Sequence, residues 1–159
     1  MKKKLPYQEG DWFAVPLRSD GYAVGVVARI TKSYAGGIVG YFFGPKRDAI
    51  PSLDEMKLLR PEQALWKYNF GDLSLLEGKW PIIGKLPDWE RSEWPVPLFV
   101  RHDSLSGNAW VVEYDDDDPD QIISEMPVNF EDVRDLPRAG SAGAGAVEIV
   151  LTKLLDEGD

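Results

Sequence analysis

The 159-residue chain contains no cysteine. Disulfides, thiolate zinc sites and cysteine nucleophiles are excluded together, and the composition suits a reducing compartment. Histidine is almost absent too, with His102 alone. Asp103 and Ser104 follow it, but consecutive strand residues point to alternating faces, so the three are not read as a nucleophilic triad. A surface or hydrogen-bonded histidine is the plainer expectation. No apolar run approaches the ~20 residues needed to span a bilayer. The opening "MKKKLPYQEGDWF" is basic, yet Pro6, Gln8, Glu9 and Asp11 interrupt it before any apolar stretch, so no targeting sequence is read there. A cytoplasmic protein is expected, with no membrane partner.

Positive charge is the other scarcity, and it is local. The net charge is −9, with ten Lys/Arg against six Asp/Glu in residues 1–60 and eight against twenty-one in residues 61–159. From Asp103 to Val133 there are ten acids and no Lys or Arg. Such a surface repels phosphate backbones and attracts basic proteins. Nucleic acid is disfavoured as a partner; a basic protein is favoured.

Hydrophobic residues at 43% and charged residues at 28% are globular composition, and the length suffices for one core without staples. A single domain over residues 1–159 is expected, with residues 1–9 as a flexible N-terminus. "DWFAVPL" (11–17), "YAVGVVARIT" (22–31) and "GGIVGYFFG" (36–44) read as meandering strands, the first two joined at Asp20-Gly21. Their glycines, at 25, 36, 37, 40 and 44, are too dense for helix and mark bulges or bends that curl a sheet. Ser52 and Glu55 cap a helical turn in "SLDEMKLL". "ALWKYNF" (64–70), the "PLFVRHD"/"NAWVVEYD" hairpin and "QIISEMPV" (121–128) add strands, the last on an edge or ending at Pro127. Val147, Val150, Leu151 and Leu154 then recur at helical spacing, with Ser141 as a start signal and Gly158 as a stop.

Three motifs invite chemistry. "EYDDDDPD" places six carboxylates in Glu113–Asp120, but the glycine of a calcium loop is missing and Met126 stands where its closing glutamate belongs. It reads as a solvated loop or an acidic platform for a basic partner. "GSAGAGA" (140–146) lacks the Lys-Ser/Thr of a phosphate loop, so its small residues are read as permitting close approach to the sheet. Acids are too common here for any pair to announce a glycosidase. "WPIIGKLPDWERSEWP" (80–95) gathers three tryptophans and three prolines. Trp80 is expected to close the core, while Trp89 and Trp94, among Asp88, Glu90, Arg91 and Glu93, have the character of interface anchors.

The order "EGDWFAVPL", "GYAVGVVARI", "GYFFG", "FGDLSLLEGKWPIIG", "WPVPLFVR" and "AGAVEIVLTKLL" resembles the immunity protein 26 family of bacterial polymorphic toxin systems. Phe70-Gly71-Asp72-Leu73, Gly78, Trp80, Gly84 and Trp94-Pro95 match the family-like pattern best. The resemblance implies a mainly β fold with flanking helices. Together with the glycine-rich strands and the C-terminal periodicity, it makes the expected class mainly β (α+β): a strongly bent antiparallel sheet or small barrel-like meander, a C-terminal helix and one or two short helices. The resemblance also implies a non-catalytic protein that neutralises a cognate toxin.

Residue chemistry and resemblance together make the expected toxin basic, such as a nuclease. The expected partner-binding residues are Trp89, Glu90, Glu93, Trp94, Glu113, Asp115, Asp116, Asp117, Asp118 and Asp120. No catalytic residue, metal or cofactor is expected, and a monomer is favoured. The alternative is a small-molecule or carbohydrate-binding β domain that stacks ligands on Trp89, Trp94 and Trp110.

Overall fold

The computed structural model describes residues 5–32 and 37–157. The meander forms as read. Strands β1 (Asp11–Pro16), β2 (Tyr22–Ile30) and β3 (Gly37–Arg47) pair antiparallel in sequence order. β4 (Trp66–Gly71) continues the sheet, β5 (Ile82–Lys85) returns to the free side of β1, and β9 (Ser141–Ala142) adds parallel to β4. The resulting order is β5-β1-β2-β3-β4-β9. β6 (Phe99–His102), β7 (Ala109–Asp115) and β8 (Asp118–Val128) form a second, three-stranded antiparallel sheet. The larger sheet is strongly bent but does not close, so of the two expected forms the open sheet is realised.

Both faces of the larger sheet are buried, which is why β1 is apolar from Trp12 to Pro16 instead of alternating. On one face Phe13, Phe42, Phe70 and Trp80 pack with Val147, Leu151 and Leu155 of the C-terminal helix α2 (Ala144–Glu157). On the other, Trp12, Val26, Tyr41 and Phe43 pack with Met56, Leu86 and Trp94. Met56 comes from a 3₁₀ turn over Leu53–Leu58, where the Ser52 N–H donates to Glu55 as the capping pattern predicts (2.8 Å). Further along that second face Val39 and Asn69 meet Phe99, Tyr114 and Pro119 of the smaller sheet.

The strand glycines do more than bend the chain. A Cβ on Gly25 would lie 2.7 Å from the Phe13 ring, and one on Gly40 would lie 2.7 Å from Phe70. Their empty positions are filled by rings from neighbouring strands. Close aromatic packing, as much as curvature, accounts for these two.

Three short elements escaped the sequence reading. β5 and the single-turn helix α1 (Leu73–Leu76) are too brief to carry a period, and β9 is two residues long. β9 also corrects the expected start of α2. Ser141 and Ala142 are drawn into pairing with Asn69 and Phe70, so the helix begins at Ala144. Gly158 and Gly36 lie outside the described residues, as do residues 1–4 of the expected flexible stretch; Tyr7, further along it, is buried and donates to Asp72 (2.5 Å). Among the described residues no helix is long and apolar enough to cross a membrane.

Candidate functional site

The tryptophan-proline segment is a strap around one edge of the larger sheet. Trp80 stacks on Phe13 (centroids 5.8 Å apart, planes 6° apart), and its Nε1 donates to Glu148 of α2 (2.8 Å). The chain then runs along the edge as β5 and passes to the other face. There Trp94 meets Trp12 edge-on at 5.7 Å and Tyr41 at 5.2 Å. Trp94 is 3% exposed. That corrects its expected place as an accessible anchor: its ring is covered by sheet residues, so neither a partner protein nor a sugar can stack on it in the folded chain. Trp89 is half-buried, packed against the same cluster under Lys85, whose Nζ lies 5.7 Å from the ring centre. Glu90 and Glu93 are exposed beside it, and Glu93 pairs with Arg60 (2.8 Å).

The strap ends against the acidic turn, and the link is a residue that the sequence reading passed over. Arg29, in β2, is 1% exposed. A register irregularity between Val27 and Arg29 interrupts the β2–β3 ladder there, and Arg29 pairs with Val39, on the side facing the smaller sheet. A buried guanidinium must be matched by acceptors, and this one is. Nη1 donates to the carbonyls of Ala28 (2.6 Å) and Trp94 (3.0 Å), Nε to that of Asp116 (2.8 Å), and Nη2 to the Asp116 carboxylate (2.8 Å). The other Asp116 oxygen accepts from the Val96 N–H (2.9 Å). Arg91 adds a second clasp, pairing with Glu9 (2.8 Å) and Asp117 (3.0 Å) and donating to the Asp116 carbonyl (3.2 Å). Burial pushes the Asp116 carboxyl up, but the Arg29 and Val96 hydrogen bonds and the charges of Arg29 and Arg91 outweigh it and hold it below the usual carboxylate value.

The four consecutive aspartates therefore have different tasks. Asp116, its side chain half-exposed, is the carboxylate partner of the buried Arg29. Asp115 accepts from the Asp117 N–H (2.8 Å) and stiffens the turn. Asp118 accepts from the Lys32 N–H (3.3 Å) and ties the turn to β2. Asp117 and Asp120 are exposed, as is Glu113, which accepts from Ser124 of β8 (3.2 Å). The signal for Arg29 was available: a lone arginine inside the apolar run "VGVVARI" demands a buried anion, and the acidic run supplies one.

Elsewhere, Trp110 is half-buried beneath the Arg101 guanidinium (4.5 Å), which also pairs with Glu125 (3.4 Å). His102 stacks on Phe130 at 3.9 Å. A groove of about 630 Å³ opens between Leu65-Trp66, Leu98 and Arg134–Arg138. Neither Trp89, Trp94 nor Trp110 lines it, so the stacking residues expected of a carbohydrate site are not gathered there. Among the described residues no group of three or more His, Asp or Glu is placed to hold a metal ion.

A search of curated proteins and one of solved structures return no match. The family model described as Immunity protein 26 matches residues 8–111, from the approach to β1 through the tryptophan strap and into β7. The acidic turn, β8 and α2, including the "AGAVEIVLTKLL" stretch, lie past the matched residues. Nearly two-thirds of the chain is thus aligned, including the whole meander and the tryptophan strap, and the chain belongs to the immunity protein 26 family.

Proposed function

We propose that this chain acts as a single immunity-type domain that binds and neutralises a cognate bacterial toxin in the cytoplasm, as a monomer and without catalysis of its own. The toxin presents a basic surface, as a nuclease must. Family membership supports the immunity role. One observation supports the choice of surface: the buried Arg29 grips Asp116 and so presents Asp117, Asp118 and Asp120 on a rigid turn. Preorganised carboxylates lose little freedom on docking, and their field steers a cationic partner into contact. Glu90, Glu93 and Glu113 extend the acidic field, and Trp89 supplies a partly exposed ring near Glu90. Asp116 anchors this surface through Arg29, and its half-exposed carboxylate adds to the acidic field.

The test is association kinetics with the toxin domain encoded beside this gene. Double reversal, Asp117→Lys with Asp120→Lys, is expected to slow association roughly tenfold at low salt and to flatten its salt dependence. Melting temperature should fall only slightly, because both side chains are exposed and the Asp117–Arg91 pair that is lost is a surface ion pair. An association rate and salt slope equal to those of the parent chain would exclude the acidic turn as the docking surface.

A further inference from the structure

A sheet edge offers unpaired N–H and C=O groups to any extended chain, and folded proteins shorten or cover such edges. The two sheets formed by the described residues have four. The larger sheet ends in β5 and β9, of four and two residues. The outer side of β6 is covered: the Val100 N–H donates to the Pro137 carbonyl (2.8 Å), and the Ala139 N–H donates to that of Val100 (2.8 Å). The fourth edge is β8, eleven residues long and the outermost strand of its sheet. Every residue from Asp120 to Pro127 is exposed, and among the described residues no segment pairs with its outer side. Three edges are blunted and the longest is open.

We infer that the outer edge of β8 receives an extended, cationic segment of the toxin by strand addition, between the two prolines that bracket it. Pro119 and Pro127 lack the N–H a ladder needs, which limits pairing to the seven residues Asp120–Met126, a span of about 23 Å at strand rise. Ile122, Ile123 and Met126 are 53%, 57% and 60% exposed, and give an added strand apolar side chains to pack against. The edge also selects its occupant by charge. β8 carries Asp118, Asp120 and Glu125 and no Lys or Arg, with Glu113 and Asp117 alongside; Glu125 and Asp117 pair with Arg101 and Arg91, and among the described residues Asp118, Asp120 and Glu113 form no ion pair. A second copy pairing here would set carboxylates against carboxylates on a chain already at −9. An incoming strand with lysine or arginine would neutralise them. This inference rests on the toxin-binding reading above, and it names the backbone by which that binding is made.

Residue-resolved amide exchange, on the free chain and on its complex with the toxin domain encoded beside this gene, tests it. Strand addition is expected to slow alternate amides within 120–126 by about tenfold or more. A complex that leaves those amides as fast as in the free chain overturns strand addition while leaving the immunity reading intact. Failure to form any complex overturns both. Concentration-dependent protection of the same amides in the free chain would assign the edge to a second copy and overturn the cationic partner. Ser124 and Glu125, which face Glu113 and Val112 in regular register, give a second measurement. Of Ser124→Pro and Glu125→Pro, one removes an inward and the other an outward N–H. The variant that keeps its melting transition should bind roughly a hundredfold more weakly; binding equal to the parent chain would overturn the inference.

Discussion

β1 and β8 are opposite ways of using a strand. β1 is buried from Asp11 to Val15 between two aromatic layers, while β8 has nothing buried from Asp120 to Pro127. The larger sheet spends its side chains on holding itself together, and the smaller one leaves a whole strand unspent. On the docking surface proposed above, stability and recognition are separated in space. The Arg29 clasp, with Arg91 beside it, fastens the acidic turn to the scaffold from below.

The sharpest way to break that comparison is Trp94→Ala. A ring packed among Trp12, Tyr41 and Phe43 should cost about 3–5 kcal/mol when truncated, read by urea unfolding. A variant as stable as the parent but defective in binding would return Trp94 to the interface. Asp116→Ala probes the tie itself. Losing the charged hydrogen bonds to Arg29 and Val96 is expected to cost about 2 kcal/mol.

The same variant carries a pH signature. The Asp116 carboxyl is held lower in the folded chain than in the unfolded one, so its contribution is fully present above the ordinary carboxylate value of about 3.9. It is lost as pH falls through the folded value. Unfolding free energies measured from neutral pH downward should show the gap between parent and variant narrowing only below that range; a constant gap would mean the charge of Asp116 is irrelevant. The smallest effect belongs to β8. Ile123→Ser, on a 57% exposed side chain, should leave stability within about 0.5 kcal/mol. A larger loss would show that β8 supports the core after all.

How much could be read in advance follows from how local each signal is. The meander, the SLSG hairpin, the capped turn at Ser52 and the C-terminal helix depend on patterns within ten residues or so, and all four form near the expected bounds. β5 and β9 depend on a neighbour supplied by a distant part of the chain, and no period marks them. The tryptophan segment shows the limit best. Composition marks the stretch as rich in interface-type residues; "DWERSEW" reads as a surface because charges flank its rings. In the fold those charges point to Arg60, Glu9 and the acidic turn, while Trp94 turns inward.

By itself the sequence determined the chemistry available: no thiol, one histidine, a carboxylate-rich second half, and strands apolar enough to be buried on both faces. Tertiary structure alone decided which of those groups remained free. Asp116 and Asp117 are neighbours of identical type, yet one neutralises a buried guanidinium from β2 and the other only pairs with the more exposed Arg91 of the strap. That choice depends on where Arg29, 87 residues away, comes to rest. No pattern within the acidic run encodes it, because the cost of burying a charge is set by what the rest of the fold brings against it.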